Sequence, residues 1–492
     1  MLSVEQIKTL IDNDRVSSAK KQARVGRRYY EADHDIKDRR IFFVDGEGNL
    51  KEDLTKANTR ISHAFFTEIV DQTVQYILSG DGAFIRSDNP ELQTELNTYF
   101  NENEDFVAEL YEALTNCISL GVGHMHAYMN EETERTAFKS ADSLGVIEVR
   151  ANETDEHCAY VIFVELDHIT ADGKKIKRIQ AWSDKEVAFF VQEDDGKIEE
   201  DKGEKLNPRP HILWHEDGTE ELEFDDYGCI PFFALENNSK RRSDLKPIKE
   251  LIDDYDLMNA GLSNNIEDTS EALYVVRGFQ GDNLDELMQN IKAKKHIGVD
   301  DDGGVDIQTV TVPVEARKAK MEIDEKNIYR FGFGLNTAGL KDTAATTNIA
   351  IKTAYSLLDL KTNKLIIKTK RFLRKLVKVV LNEINAEKGS DYRPSDVYFH
   401  FEPEVMTNAM ENAQIELTEA QRKQTEINTL LNIAALLDNE TIMQLICEQL
   451  DIDFEEIKDK LPALDEPDPY NAQSALDVPT VATIEDGGGV IE

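Results

Sequence analysis

The residues of this 492-residue chain whose types and spacing could do chemistry are mostly ionic. Between Leu360 and Asn382 there is no acidic residue, although the chain carries a formal net charge of -40. That stretch holds Lys361, Lys364, Lys368, Lys370, Arg371, Arg374, Lys375 and Lys378. At about 100° per residue these cations fill one half of a helical wheel. Leu358, Leu365, Ile366, Phe372, Leu373, Leu376, Val377 and Val380 fill most of the other half. Such a helix either faces a polyanion or is a solvated face whose lysines pair with acidic neighbours, and the pattern leaves both open. Just upstream, residues 331–348 include three glycines and the small or polar Asn336, Thr337, Gly339, Lys341, Asp342 and Thr343, which predicts a mobile loop with little to bury.

Other constellations fall short of a site. His124 and His126 alternate on an expected strand and share a face, as metal ligands can, but no third ligand stands at a suggestive spacing, so they read as ordinary strand histidines. The run Asp300-Asp301-Asp302-Gly303-Gly304 misplaces the glycine of a calcium loop and lacks its closing glutamate, which predicts a solvated hairpin turn; Asp45, Glu47 and Asn49 fail the same test. Gly121-Val122-Gly123 opens like a dinucleotide fingerprint and is not completed, and neither GxxxxGK[ST] nor GxSxG occurs. No catalytic residue, metal or cofactor is expected from these patterns.

These groups need a scaffold, and the composition allows a large one. With 40% hydrophobic and 31% charged residues, the chain reads as folded, with room for several domains. Its acidity opposes tight, sequence-reading DNA binding while leaving weak contact possible. Cys117, Cys158, Cys229 and Cys447 form no CxxC pair, which fits a reducing compartment. Neither a signal peptide nor a membrane span is expected.

Along the chain, helices are expected over 4–30, 61–78, 90–99 and 104–119, with a small hairpin near 41–49. Seven short strands follow between 121 and 233. Ser243 and Asp244 offer an N-cap to a helix running to about 271. A small α/β module then follows: a strand over 273–279, a helix over 283–291, and a hairpin pairing 295–299 with 305–312. Helices over 314–330 and 349–388, an edge strand over 396–402 and helices over 408–426, 429–449 and 454–461 complete the pattern. The Pro-, Asp- and Gly-rich tail over 466–492 is expected to be disordered.

Several segments in fixed order resemble the portal proteins of tailed bacteriophages, the family found in long-tailed phages of Gram-positive hosts. They are Arg28-Tyr29-Tyr30 with His34-Asp35-Ile36, then residues 58–66 and 70–80. Ile230-Pro231-Phe232-Phe233 with Asn237-Asn238 comes next, followed by Ser243-Asp244-Leu245 through Leu251-Ile252-Asp253-Asp254-Tyr255-Asp256. The resemblance covers roughly residues 27–460; the chain departs from it in its acidity and in the outline-only match around 273–312.

The resemblance implies a mixed α+β subunit of a ring, typically of twelve copies around a DNA channel. Its parts would be a wing (1–242), a stem helix (243–272), an inserted α/β clip (273–313) and a second stem helix (314–332). A tunnel loop (333–348), a long tunnel helix (349–389), a wing strand (390–405), a helical crown (406–465) and the tail (466–492) would follow. It further implies that Asn336, Thr337, Gly339, Lys341, Asp342 and Thr343 line the channel. The face of Lys361, Lys364, Lys368, Arg371, Lys375 and Lys378 would look toward polyanion, and Asp300, Asp301 and Asp302 would dock terminase or adaptor proteins. Implied partners are further copies of the chain, double-stranded DNA contacted without sequence preference, the terminase large subunit, major capsid and scaffolding proteins, and head-completion or tail adaptor proteins. The implied place is the unique capsid vertex of the virion, and the host cytoplasm during assembly. Two other readings stand beside the conduit: a metal-dependent phosphodiesterase of phage origin, and a basic-helix membrane binder, which the overall acidity disfavours.

Overall fold

A computed structural model describes residues 2–54, 56–80, 82–152, 157–169, 173, 175–193, 196–215, 222–269, 273–279, 299–308, 313–337, 348–403, 409–432, 439–449 and 454. The chain divides into two compact units, Met1–Met406 and Thr407–Glu492.

In the first unit, the single helix expected over 4–30 is two, α1 (Val4–Val16) and α2 (Ser18–Tyr30). Ser17 separates them. Its backbone is extended, its N–H donates to the Asp14 carbonyl at 3.0 Å, and its hydroxyl accepts from the Lys20 N–H, so one residue ends one helix and caps the next. Strands β1 (Phe42–Val44) and β2 (Leu50–Glu52) form the expected hairpin, its turn closed by Asp45 Oδ1, which accepts from the N–H groups of Glu47 and Asn49. Helix α3 (Phe65–Leu78) and the short strand β3 (Ile85–Arg86) lead to α4 (Pro90–Leu96), which Asn89 caps and Pro90 starts. Helix α5 (Glu104–Leu120) ends at Gly121, with φ of 98°. A Cβ at Gly121 would stand 2.2 Å from the Arg241 carbonyl oxygen, so both the left-handed turn and the close approach require glycine.

Two antiparallel sheets follow. The smaller has the order β14 (Phe232–Glu236), β4 (Val122–Asn130), β5 (Arg135–Ala141), with Phe232 and Lys139 flanking His126. The larger runs in sequence order through β6 (Val146–Val149), β7 (Tyr160–Ile169), β8 (Lys175–Trp182), β9 (Glu186–Gln192) and β10 (Ile198–Glu200), and β11 (Arg209–Pro210) also pairs with β9. A separate hairpin joins β12 (Ile212–His215) to β13 (Leu222–Asp225). The sequence pattern misses β5 and β14, and the shorter β3, β10 and β11. In β5 the buried Thr136 and Phe138 alternate with Arg135, Ala137 and Lys139, too few large apolar residues to stand out.

Helix α6 (Lys249–Thr269) starts after a turn in which Ser243 Oγ accepts from the Leu245 N–H. It packs along α7 (Val314–Gly332), and Lys320 of α7 reaches Asp254 of α6 at 2.5 Å. Between these helices lie β15 (Leu273–Phe279) and β16 (Val299–Gln308), an antiparallel pair. This corrects the expected hairpin turn at 300–304: those residues are part of β16, with Gly304 opposite Arg277 and Val299 opposite Phe279 across a register shift. Asp300, Asp301 and Asp302 fall within that shift and have no paired residue in β15, so they form an irregular stretch of β16 rather than a turn. The helix expected over 283–291 and the strand residues 295–298 lie outside the described residues.

The long helix α8 (Asn348–Lys388) spans 41 residues, and β17 (Tyr398–Phe399) pairs with β3. All eight apolar residues assigned to the inner half of α8 are buried. Leu373, Leu376, Val377 and Val380 belong to the main core together with Phe66, Ile69 and Val70 of α3 and Leu110 and Leu114 of α5. Each such side chain contributes roughly 1.5–3 kcal/mol by leaving water, which is how a helix with a basic half is held in place.

In the second unit, α9 (Ala409–Asn432) packs against α10 (Asn439–Gln449), where Ile442 and Cys447 are buried. The break expected between 426 and 429 is absent, because α9 continues through it. Residues 455–461 and the tail 466–492 lie outside the described residues. Among the described residues, no helix is long and apolar enough to cross a membrane.

Candidate functional site

The segment that joins α7 to α8 is the candidate site, and its two roots are built against α3. Phe333 ends α7 with φ of 58°, its N–H donating to the Tyr329 carbonyl. Leu335 then turns inward and is buried with Tyr76 of α3 and with Tyr355 and Leu358 of α8. Its N–H donates to Gln72 Oε1 at 2.9 Å and its carbonyl accepts from Gln72 Nε2 at 3.0 Å. Tyr329 OH donates to Glu68 Oε2 at 2.6 Å, and Tyr76 OH donates to Asp359 of α8. Burial first, then the facing carboxylate, pushes both phenols well above the usual tyrosine value. Phenols that hold their protons this firmly remain donors throughout the ordinary pH range.

The glycines of this stretch have a different role from the one their setting predicts. A Cβ on Gly334 would lie 2.7 Å from Ile69 Cγ1 and 3.1 Å from Tyr329, and one on Gly332 would lie 2.8 Å from Ile69 Cδ1. Both permit α3 to approach closely, and neither lies in a freely exposed loop. Of the candidate channel residues, Asn336 donates to Glu325 at 3.2 Å and Thr337 is exposed. Gly339, Lys341, Asp342 and Thr343 lie outside the described residues.

On α8 the cationic half resolves into two kinds of residue. Lys364, Arg371, Arg374, Lys375 and Lys378 are exposed, and Lys368 and Lys370 are half-buried. Among the described residues, no carboxylate lies within ion-pair distance of Lys364, Lys375 or Lys378. Arg374 stacks over the Phe399 ring at 5.5 Å. Lys361 turns inward instead, its ammonium 2.9 Å from Asp244 and 3.4 Å from the Gly332 carbonyl, which ties α8 to the end of α7. The wheel places Lys361 with the cations but gives no view of Asp244. Asp302 is exposed on β16; the side chains of Asp300 and Asp301 lie outside the described residues.

Away from the loop root, two buried polar clusters join distant parts of the first unit. Asp256 of α6 accepts from His34 Nδ1 and His63 Nδ1, both at 2.7 Å, and from the His63 N–H at 3.0 Å. Burial alone would raise its carboxyl, but the two imidazoles outweigh burial and hold it below the usual value. At the sheets, Glu148 receives Arg241 at 2.8 Å, Arg150 at 3.0 Å and His124 Nε2 at 3.3 Å. Desolvation opposes its charge, yet His124 and Arg241 bring the carboxyl far below the carboxylate range. His126 donates to the Pro231 carbonyl and stacks on Phe232, and burial lowers it to about 4. His124 and His126 are thus each engaged by the protein, and among the described residues no group of three or more His, Cys, Asp or Glu could hold a metal ion. The four cysteines are unpaired with one another.

Sequence reasoning missed the row of Glu68, Gln72 and Tyr76. Its spacing of four residues was the available signal, since it puts the three on one edge of α3. What those side chains hold comes from 250 or more residues downstream.

Comparison with known proteins bears on the whole of this architecture. The family described as "Phage portal protein, SPP1 Gp6-like" matches residues 11–460. The portal protein of Bacillus phage SPP1 is 28% identical over 342 residues, which span 69% of this chain and 65% of that protein. The portal protein of Clostridium phage phiCD119 is 25% identical over 431 residues, 84% of this chain and 89% of that one. A match over nearly the full length, on a mixed helix-and-sheet architecture, establishes that this chain belongs to the SPP1 Gp6-like family of phage portal proteins.

Proposed function

We propose that the chain is the subunit of a ring-shaped channel at one capsid vertex, through which double-stranded DNA enters and leaves. The observation that carries this reading is the family match over residues 11–460. The fold is compatible with it: α6 and α7 pair as two stem helices with β15 and β16 inserted between them as a clip, and the 333–348 segment connects them to a long helix. In this reading residues 1–242 with 390–405 form the wing and residues 406–465 the crown. The protein does no chemistry itself. A separate terminase hydrolyses ATP and docks on the clip, where Asp300, Asp301 and Asp302 steer the encounter; capsid, scaffolding and adaptor proteins bind the outer surfaces.

Closed symmetry turns each inward group into a ring of like groups, typically twelve. Rings of Lys341 beside Asp342 would give a nearly neutral lining, weak enough for a duplex to slide. The exposed face of Lys364, Arg371, Lys375 and Lys378 supplies a further low-affinity basic surface on a chain that is otherwise strongly acidic. The phosphodiesterase reading receives no support from the relatives, both of which are portal proteins.

Size-exclusion chromatography with negative-stain microscopy tests the proposal, alongside packaging of DNA into proheads. A large ring with a central hole and packaging that requires it are expected. A monomer that cleaves DNA in the presence of Mg²⁺ would overturn the reading.

A further inference from the structure

Helix α3 presents Glu68, Gln72 and Tyr76 along one edge, and each holds a different part of the loop root. Glu68 takes the hydroxyl of Tyr329 near the end of α7, Gln72 takes the backbone of Leu335, and Tyr76 takes Asp359 on α8. Gln72 Nε2 also donates to Glu68 Oε1 at 3.1 Å, so the first two members are linked. Behind the row, Leu335 is enclosed by Tyr76, Tyr355 and Leu358. We propose that this row is a clamp, a set of positioning residues that fixes where the channel segment leaves α7 and rejoins α8. The role in the channel rests on the function proposed above, whereas the clamping itself does not.

Gln72 is the member whose chemistry is hardest to replace. It satisfies both the N–H and the carbonyl of one residue, as a neighbouring strand would. Asparagine is a methylene too short. An ionised glutamate accepts but cannot donate, so it would meet the Leu335 carbonyl with a negative charge, beside Glu68. A protonated glutamate, with one donor and one acceptor, restores the amide's pattern. Gln72→Glu therefore converts a pH-independent clamp into one that opens when the introduced carboxyl ionises.

Trypsin reads the state of the root, because Lys341 is the only lysine or arginine between Arg330 and Lys352. Cleavage after Lys341 is measured by mass spectrometry on the full-length protein without DNA, relative to cleavage after Lys202 in an exposed turn. Gln72→Ala should raise that ratio roughly tenfold at both pH 8 and pH 5.5, as expected for losing two hydrogen bonds. Gln72→Glu should raise it at pH 8 and let it fall back toward wild type at pH 5.5, because Glu68 and the Leu335 carbonyl push the introduced carboxyl above the ordinary glutamate value of about 4.3; wild type should stay low at both. Should Gln72→Ala fail to fold, the two pH values within Gln72→Glu carry the test. A wild-type ratio in Gln72→Glu at pH 8, or an equal rise at both pH values, would overturn the clamp. Packaging is read separately, so a failed channel reading leaves this result standing.

Discussion

The loop root and the Glu148 cluster do the same structural task, joining segments far apart in the chain, by opposite electrostatic means. Across the α3 row at the root, each hydrogen bond to α7, Leu335 or α8 has a neutral donor: two phenols, an amide and a backbone N–H. At Glu148, two guanidinium groups and an imidazole converge on one carboxylate that is itself only 11% exposed. Neutral donors leave little charge for salt to screen and little that titrates near neutrality. A buried carboxylate surrounded by cations gains little net stability once desolvation is counted, but loses much when one member is lost. A chain with 96 acidic and 56 basic residues has too few cations to pair every carboxylate, and tyrosine serves in their place at the root.

The largest effect should come from breaking the charged cluster. Glu148→Gln is expected to cost about 3 kcal/mol, because Arg241 and Arg150 lose their shared partner; thermal or urea unfolding checks this. The pH dependence has a definite sign. The folded carboxyl lies below its unfolded value of 4.5, so its contribution is complete above that value and is lost as pH falls toward the folded one. Glu148→Gln should therefore flatten the acid limb of the stability curve below about pH 4.5, taken from the ordinary glutamate value. An unchanged acid limb would mean that other carboxylates, such as Asp256, set it.

At the root, packing is expected to matter more than any one hydrogen bond. Gly334→Val should cost about 2–3 kcal/mol through collision with Ile69 and Tyr329. Ile69→Ala in the same chain should recover part of the loss, and additive losses in that double-mutant cycle would count against the contact. A smaller loss, about 1–2 kcal/mol, is expected for Tyr76→Phe, which leaves Asp359 without its donor. Here salt separates the two regions most clearly. The Tyr76→Phe cost should hold steady between low and high salt, whereas a salt-dependent cost would show that charge dominates at the root too. The smallest effect belongs to the exposed face of α8: Lys364→Ala with Lys375→Ala should change stability by less than about 0.5 kcal/mol. Any loss of packaging by that pair would then report on function rather than folding.

The sequence revealed long, periodic elements well and partner identity poorly. The span of α8 and its buried half follow from periodicity, because a solvated half and an apolar half are enough to specify orientation. Lys361 and Lys364 look alike on the wheel, yet one meets Asp244 and the other faces water. An angle around a helix carries no information on what folds against it. Gly334 suited a mobile loop by composition, and only the proximity of Ile69 reveals it as a packing residue. Asp300–Asp302 suited a turn for the same kind of reason, yet they lie within β16, at the shift between its two paired stretches. The Glu68–Gln72–Tyr76 row was visible as spacing, but its meaning depended on residues from 329 to 359.

The meeting of Leu335 with Tyr355 and Leu358 has a mechanical consequence. It holds the end of α7 and the first turns of α8 together at α3, on either side of the segment that joins them in sequence. A pull on the chain between these two anchors is borne by the base and by α3 as well as by the backbone of α7 and α8. Because Glu68, Gln72 and Tyr76 hold three separate points, that load is shared in parallel, so no single bond has to bear it alone. Force applied to this segment would therefore strain the body of the subunit as well as the two helix ends.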